Sequence, residues 1–294
     1  MQHSVRLGTQ YYHESICQHL RELKEQEELP FQVQETQYGK RWLIQCQFDL
    51  PNPEEPDTQR LVAKIHRYYL ANALAKTILQ HWEKDYVHSL LRKRYHLKRD
   101  EQEQVWPKAM KSLNERDEHA NDVQRKATLV THILTEIEVN PVFDVEGFLR
   151  FRAREYRAEV DKAVAYAVDE YILEKEYFEF IDLLKHFLDT QEPRMETLHV
   201  GISARGRFHL FNEAGEKVTK DYLDGMEAEG DVSDFSYEDL LISVLISAAP
   251  QEVILHIKYP GYRDTLETIR HVFEGKVKEC PGCSLCEKLR NATH

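Results

Sequence analysis

The sequence lacks the short motifs that mark common enzyme classes. It contains no Gly-x-x-x-x-Gly-Lys-Ser/Thr loop for nucleoside triphosphates, no Gly-x-Gly-x-x-Gly turn for dinucleotides and no Gly-x-Ser-x-Gly nucleophile elbow. It also lacks the repeated Glu-x-x-His pairs that build di-metal sites in helical bundles. These absences favour a non-enzymatic protein over an enzyme without deciding between them.

Long apolar runs and an excess of basic charge are missing as well. No segment approaches the roughly 18–20 apolar residues that span a bilayer, and the first residues do not form a secretory signal. The 294 residues carry a formal net charge of −12, which opposes a general nucleic-acid coat but leaves room for a local basic patch. We therefore expect a soluble cytoplasmic protein that does not enter a membrane.

Cysteine is scarce, and its distribution is uneven. Three of the five cysteines lie within the seven residues from Cys280 to Cys286. An odd count with such clustering argues against a disulfide framework. Cys17 and Cys46 stand alone on the apolar faces of a predicted helix and a predicted strand, where cysteine is usually a buried packing residue.

Periodicity divides the chain into three predicted parts. Residues 1–56 read as a small α/β segment that ends in a proline-rich linker, and residues 57–190 read as a helical bundle with 3.6-residue periodicity. Residues 195–290 read as a C-terminal α/β domain with a short mixed sheet. The predicted fold class is α+β, predominantly α.

The end of the C-terminal domain follows a strand–helix–strand order. The predicted strands are Val253–Ile257 and Val277–Cys280, and the predicted helix between them is Tyr262–Phe273. Such an order implies a parallel crossover, so Cys280 falls at the carboxyl end of a parallel strand. This edge of an α/β sheet is a common position for sites.

The cysteine cluster itself predicts a metal site. Its sequence is Cys280-Pro281-Gly282-Cys283-Ser284-Leu285-Cys286. A Cys-Pro-Gly-Cys turn resembles a zinc knuckle, in which backbone N–H groups point at the sulfurs and stabilise thiolates around Zn²⁺. A fourth ligand must come from elsewhere in the chain. His256 on the neighbouring strand is the first choice and His271 the second.

Two other chemistries suit the same cysteines. The Cys-x-x-Cys-x-x-Cys spacing occurs in iron–sulfur proteins, although those runs include a fourth cysteine that is absent nearby. A strand followed by Cys-x-x-Cys and a helix is also the arrangement of thioredoxin-like redox proteins.

Two basic stretches are candidate contacts for an anion or a nucleic acid. Arg150, Arg154 and Arg157 are predicted to share one face of a long helix, where Glu146 and Glu155 offer a structural salt-bridge network as the alternative. Arg92 and Arg94 lie in a second stretch, where the alternative is a solvated helix end whose cations complement the helix dipole.

Several segments together carry a family resemblance: Gly147-Phe148-Leu149-Arg150-Phe151-Arg152, Val168-Asp169-Glu170-Tyr171, Glu238-Asp239-Leu240-Leu241-Ile242-Ser243 and the cysteine tail. The sequence resembles the YtxC-like sporulation protein family of spore-forming Bacillota over roughly residues 60–290. The resemblance implies a cytoplasmic protein associated with sporulation, and it implies no activity and no catalytic residue. We expect an interaction or regulatory protein with a protein partner and a thiolate metal site. Its partner and oligomeric state are not set by the sequence.

Overall fold

The computed structural model describes residues 3–28, 30–48, 56–115, 122–140, 142–202, 208–218, 237–257 and 262–291. Within these ranges the protein is α+β and predominantly helical, with two four-stranded mixed sheets, which confirms the predicted fold class. The chain forms two compact units, Met1–Ile172 and Leu173–His294, each with its own buried apolar core. The three-part division at residues 56 and 190 stays a prediction. The predicted acidic loop at 221–234 and most of the predicted linker at 51–56 lie outside the described residues.

The sheet of the first unit has the strand order β2-β3-β1-β4. β1 (His3–Thr9) pairs antiparallel with β3 (Arg41–Phe48) and parallel with β4 (Val142–Asp144), while β2 (Phe31–Tyr38) completes the hairpin with β3. The predicted hairpin is confirmed. β4 was not predicted, because three residues between two helices are too short to show strand periodicity.

The helices of the first unit are α1 (His13–Gln26), α2 (Pro56–Thr77), α3 (Glu83–Lys93), α4 (Arg99–Glu115), α5 (Asp122–Val139), α6 (Val145–Phe151) and the first part of α7 (Arg154–Thr190). A π-helical turn, Ile78–Trp82, joins α2 to α3 without a break. The sequence pattern had separated these two helices. A π turn contains an extra residue per turn and shifts the apolar stripe around the helix axis, so the pattern resembles an interruption.

The segment after β4 contains two consecutive helices, one of the two arrangements that the sequence allowed. α6 ends at Phe151 and α7 begins at Arg154. Asp144 caps α6 as predicted, since its side chain accepts a hydrogen bond of 2.6 Å from the Gly147 amide.

The second unit contains a sheet with the order β6-β5-β7-β8. β5 (Met195–Ile202) pairs antiparallel with β6 (Phe208–Phe211) and parallel with β7 (Pro250–His256), which in turn pairs parallel with β8 (Val277–Glu279). The helices are α8 (Tyr237–Ala248), α9 (Arg263–Val272), α10 (Ser284–Asn291) and the second part of α7. The predicted parallel pairing of the last two strands is confirmed.

Among the described helices, none combines the length and the apolar character that a bilayer crossing requires.

Candidate metal centre

Four side chains at the carboxyl edge of the second sheet point their donor atoms at one another. They are His256, Cys280, Cys283 and Cys286, and their ligand atoms all lie within 4.8 Å of one another. His256 is the last residue of β7, Cys280 follows β8, and Cys286 belongs to α10. The structure therefore brings together the four residues that the sequence analysis selected.

Parallel strand pairing places Cys280 beside His256. Leu255 pairs with Glu279 in the ladder between β7 and β8, and the Cys280 amide donates a hydrogen bond of 2.9 Å to the Leu255 carbonyl. The two strands thus end together, and their next side chains share one edge of the sheet. His271, the second choice, lies elsewhere: its Nδ1 atom is 3.3 Å from the Tyr177 hydroxyl.

The distances within the cluster suit a tetrahedral ion. The Cys286 sulfur is 4.0 Å from the Cys283 sulfur and 3.9 Å from the Cys280 sulfur, and the His256 Nδ1 atom is 3.3 Å and 3.5 Å from the sulfurs of Cys286 and Cys283. Around Zn²⁺ with bonds of about 2.3 Å to sulfur and about 2.0 Å to nitrogen, neighbouring sulfurs lie about 3.8 Å apart and sulfur–nitrogen pairs about 3.5 Å apart. These four distances differ from the values around Zn²⁺ by only a few tenths of an ångström.

Backbone amides of the turn and of the first turn of α10 point at two of the sulfurs. Gly282 adopts a φ of 137°, a backbone conformation that favours glycine, and its amide donates to the Cys280 sulfur. Burial nevertheless raises the pKa of the Cys280 thiol. At Cys283 burial also acts to raise the pKa of the thiol. Hydrogen bonds from the Cys286 amide, the Cys280 side chain, the Leu285 amide and the Cys286 side chain together outweigh burial, so the pKa of Cys283 is lowered. Hydrogen bonds of this kind stabilise thiolates.

A close contact between α10 and β5 positions Cys286. A Cβ atom added to Gly201 would lie 2.3 Å from the Leu289 Cδ1 atom, so the absence of a side chain at Gly201 admits Leu289. Gly201 is the register partner of His256 in the neighbouring strand. Leu289 and Cys286 are both buried, and their helix is thereby fixed above the histidine.

His199 is a second residue behind the cluster, and the sequence analysis missed it. Its Nδ1 atom lies 3.0 Å from the Nε2 atom of His256, while the Nδ1 atom of His256 points at the sulfurs. Burial lowers the pKa of both imidazoles, which favours their neutral forms. A neutral His256 with its proton on Nε2 donates to His199 and leaves Nδ1 free as a ligand. The sequence signal for His199 is the presence of a histidine among the alternating apolar residues of the predicted strand Leu198–Ile202.

The candidate arginines do not form one surface. Arg150 lies in α6 and Arg157 in α7, and both line one small cavity, whereas Arg154 lines a different one. The predicted common helix face is therefore wrong, because the helix is interrupted between residues 151 and 154. Arg94 lies 3.5 Å from the Asp161 carboxylate, and Arg92 is exposed.

A second group of potential ligands lies in the first unit, where Cys17, His13 and Glu35 converge. Here the side chains already satisfy one another: the His13 Nε2 atom is 2.7 Å from the Glu35 carboxylate, which also accepts from the Cys17 thiol. Burial, followed by the charge of Glu35, raises the pKa of Cys17 to about 12. A thiol held in its protonated form fits the predicted packing role better than a metal ligand.

Comparison with known proteins identifies the family. The model of the YtxC-like family matches residues 68–278. The chain belongs to the YtxC-like family. It is 26% identical over 221 residues to the uncharacterized protein YtxC of Bacillus subtilis (strain 168), a match that covers 72% of this chain and 76% of that protein. No solved structure matches the chain significantly. The family match includes His199 and His256 and ends before Cys280, so membership does not depend on the cysteines.

Proposed function

We propose that Cys280, Cys283, Cys286 and His256 bind one Zn²⁺ ion in a closed structural site. The observation that carries this proposal is the convergence of four donor atoms within 4.8 Å of one another. Three thiolates and one neutral imidazole complete a tetrahedral shell and leave no position for water or substrate. Closed sites with mostly thiolate ligands are usually structural.

The spacing of the sulfurs favours a single ion over an iron–sulfur cluster. In a [4Fe–4S] cluster each ligand sulfur binds a different iron ion, and in a [2Fe–2S] cluster no more than two sulfur ligands share one iron ion. Here the Cys286 sulfur lies close to both other sulfurs, at 4.0 Å and 3.9 Å. Cysteine is also the usual ligand of such clusters, and the fourth donor here is a histidine. A single iron ion on the same ligands is the competing occupant that elemental analysis distinguishes.

The fourth donor also favours an ion over thiol redox chemistry. A redox pair needs two sulfurs that approach to about 2.05 Å. A disulfide between any two of these cysteines would leave the third thiol and the buried His256 Nδ1 atom without a shared role. A metal ion would bind all four donor atoms.

Such an ion would stabilise the end of the second unit. Its ligands come from the end of β7, the residue after β8, the turn and α10, so one ion would join four successive parts of the structure. A helix as short as Ser284–Asn291 is only marginally stable by itself in water. Metal binding contributes directly to the free energy of folding in sites of this kind.

At the level of the cell, we propose a non-enzymatic interaction or regulatory protein of the cytoplasm that takes part in sporulation through a protein partner. The support is membership of the YtxC-like family together with the closed geometry of the proposed metal site. In a spore-forming host, deletion of the gene should lower the titre of heat-resistant spores. Wild type and Cys17→Ser should restore the titre, whereas Cys283→Ser should not. A normal titre in the deletion strain would contradict the proposed role in sporulation.

The test of the site itself is the metal content of the purified protein. Elemental analysis should find about one zinc per chain in the wild type and in Cys17→Ser, whose thiol lies in the first unit. Cys283→Ser should lose the ion, and hydrogen exchange should then show faster exchange in α10 and β8 with an unchanged first unit. Unchanged zinc content in Cys283→Ser, or iron in place of zinc, would refute the assignment.

A further inference from the structure

The first unit contains an aromatic cavity that the proposed metal site does not use. It has a volume of about 270 Å³, and the residues that define its chemistry are Tyr11, Trp82, Tyr86, Glu146, Arg150 and Arg157. All of them belong to the first compact unit. We propose that this cavity binds a mononucleotide, with the base against the aromatic rings and the phosphate on the arginines.

The cavity lies at the carboxyl ends of two parallel strands. β1 and β4 pair in parallel with Gly8 opposite Asp144, and the chain continues from them into Tyr11 and Glu146. Ligands of α/β sheets commonly bind at this edge, where the strands end and helices begin. The cavity therefore lies where the topology of an α/β sheet commonly places a ligand site.

Glu146 holds the loop that carries Tyr11. One oxygen of its carboxylate accepts hydrogen bonds from the Thr9 hydroxyl at 2.7 Å, from the Gln10 amide at 2.9 Å and from the Tyr11 amide at 3.3 Å. The loop is fixed, yet the Tyr11 side chain is 71% exposed. A fixed backbone that presents an exposed ring provides a stacking surface with little entropy left to lose on binding.

A pair of stacked rings also lines the cavity. The ring centroids of Trp82 and Tyr86 are 4.7 Å apart with an interplanar angle of 13°. Trp82 is the last residue of the π-helical turn, and such turns occur frequently at functional sites. Flat aromatic walls suit a planar ligand such as a nucleobase, since every base offers a π face.

Two arginines in this cavity have no acidic partner among the described residues. Other arginines pair with carboxylates: Arg125 with Glu83, Arg94 with Asp161 and Arg152 with Glu136. Arg157 instead donates to the Arg150 carbonyl at 2.9 Å, lies over the Tyr86 ring and makes a side-chain hydrogen bond with Tyr86. Its buried Nε atom has no hydrogen-bond partner in the described part of the chain. The Arg150 guanidinium is in contact with the Phe151 ring.

Two arginines without a carboxylate partner among the described residues, beside aromatic rings, define the ligand class. Guanidinium groups bind phosphate, and a base stacks on the rings. The remaining oxygen of Glu146 is buried and makes no hydrogen bond among the described residues, although it lies 3.8 Å from the Arg41 guanidinium in an ion pair. It can still accept a hydrogen bond from a hydroxyl or amine of a nucleoside. The net charge of −12 opposes a long polyanionic strand more strongly than a single phosphate. The volume also fits one base rather than several.

Calorimetric titration of the full chain tests this proposal. At least one of the 5′-monophosphates of adenosine, guanosine, cytidine and uridine should bind with a dissociation constant on the order of 100 μM or lower. The matching nucleoside and inorganic phosphate should each bind about tenfold more weakly or worse. Absence of binding by all four nucleotides up to about 1 mM would overturn the proposal, as would a short oligonucleotide that binds more tightly than its component nucleotide.

Matched variants locate the site. Arg150→Gln and Tyr11→Ala replace exposed residues, so the fold should persist, and each should raise the dissociation constant about tenfold. Arg152→Gln removes a neighbouring arginine that pairs with Glu136 outside the cavity, and it should bind as the wild type does. Equal affinities of Arg150→Gln and Arg152→Gln would overturn the proposal.

Fluorescence distinguishes nucleotide binding beside Trp82 from a purely structural role of the cavity residues. Trp82 is one of three tryptophans, and the nucleotide should quench its emission. In Trp82→Phe the quenching should disappear while calorimetric binding remains, because phenylalanine keeps a stacking ring. Full quenching in Trp82→Phe would place the ligand elsewhere. Binding should also persist in Cys283→Ser, which separates this proposal from that of the metal site.

Discussion

The Nε2 atom of His256 lies 3.0 Å from the Nδ1 atom of His199, and this contact orients His256. The two residues are 57 positions apart and meet because β5 and β7 pair in parallel. The contact turns the other nitrogen of His256 toward the three cysteines. A half-buried residue behind the donor set thus orients the nitrogen of His256 that faces the sulfurs.

Replacement of His199 should weaken metal binding without abolishing it. In His199→Ala the Nε2–H group of His256 loses its acceptor, so we expect the zinc affinity to fall by about 10–100-fold with the stoichiometry unchanged at saturation. Competition with a chromophoric chelator measures this affinity. His186→Gln, an exposed position on α7, is the matched control. Equal affinities of the two variants would show that His199 does not support the site.

The contact between Gly201 and Leu289 should behave as a coupled pair. Gly201→Ala places a methyl group 2.3 Å from the Leu289 Cδ1 atom, so α10 should shift and the metal affinity and stability of the second unit should fall. Leu289→Ala alone leaves a cavity and should cost about 2 kcal/mol or more. In the double variant the methyl group occupies the vacated space, and thermal unfolding should show a loss smaller than the sum of the two. Simple additivity would exclude the close contact.

Gly282 should be sensitive to substitution for conformational reasons alone. No atom lies within 4 Å of the position of an added Cβ, but the φ of 137° is one that residues with a side chain rarely adopt. Gly282→Ala should therefore rotate the turn, remove the amide from the Cys280 sulfur and lower the zinc affinity. Gly275→Ala, also at a positive φ of 79° and next to open space, is the control that should reduce stability while zinc affinity is retained. Equal zinc affinities in the two variants would contradict a special role of the turn.

The stability of the first unit should depend on pH through His19. Burial first, and then the charge of Lys76, lower the pKa of this imidazole, with a smaller contribution from His81 and opposition from Glu22 and Gln80. The unfolded chain therefore binds the proton more readily than the folded one, and stability should fall as the pH decreases below about 6.5 toward the lower folded value.

His19→Gln tests this dependence. The Thr77 hydroxyl and the Gln80 side chain both contact the imidazole, so the variant should lose some stability at neutral pH. It should nevertheless show a smaller change in the free energy of unfolding of the first unit between pH 7.5 and pH 5.5, measured by denaturant titration with hydrogen exchange. An identical pH dependence in both proteins would rule out His19 as the titrating group.

Local sequence sufficed to predict the cysteine part of the candidate site. The spacing of Cys280, Cys283 and Cys286 and the glycine between them place the sulfurs and the amides that meet them in one short segment, the turn and the start of α10. His256 was predicted because two consecutive parallel strands end together, and parallel pairing followed from the strand–helix–strand order. The four side chains meet as expected because the relevant contacts are close in the chain or follow from element order.

Contacts between distant segments decided the rest. Leu289 packs against Gly201, and His199 orients His256. Both contacts depend on the register between β5 and β7, which a single sequence does not specify. The interruption between Phe151 and Arg154 separates Arg154 from Arg150 and Arg157, and the π-helical turn places Trp82 beside Tyr86. Residue spacing along the chain thus determined which groups are available for chemistry. Strand register and helix packing determined which of these groups meet, because register and packing depend on the burial of whole surfaces.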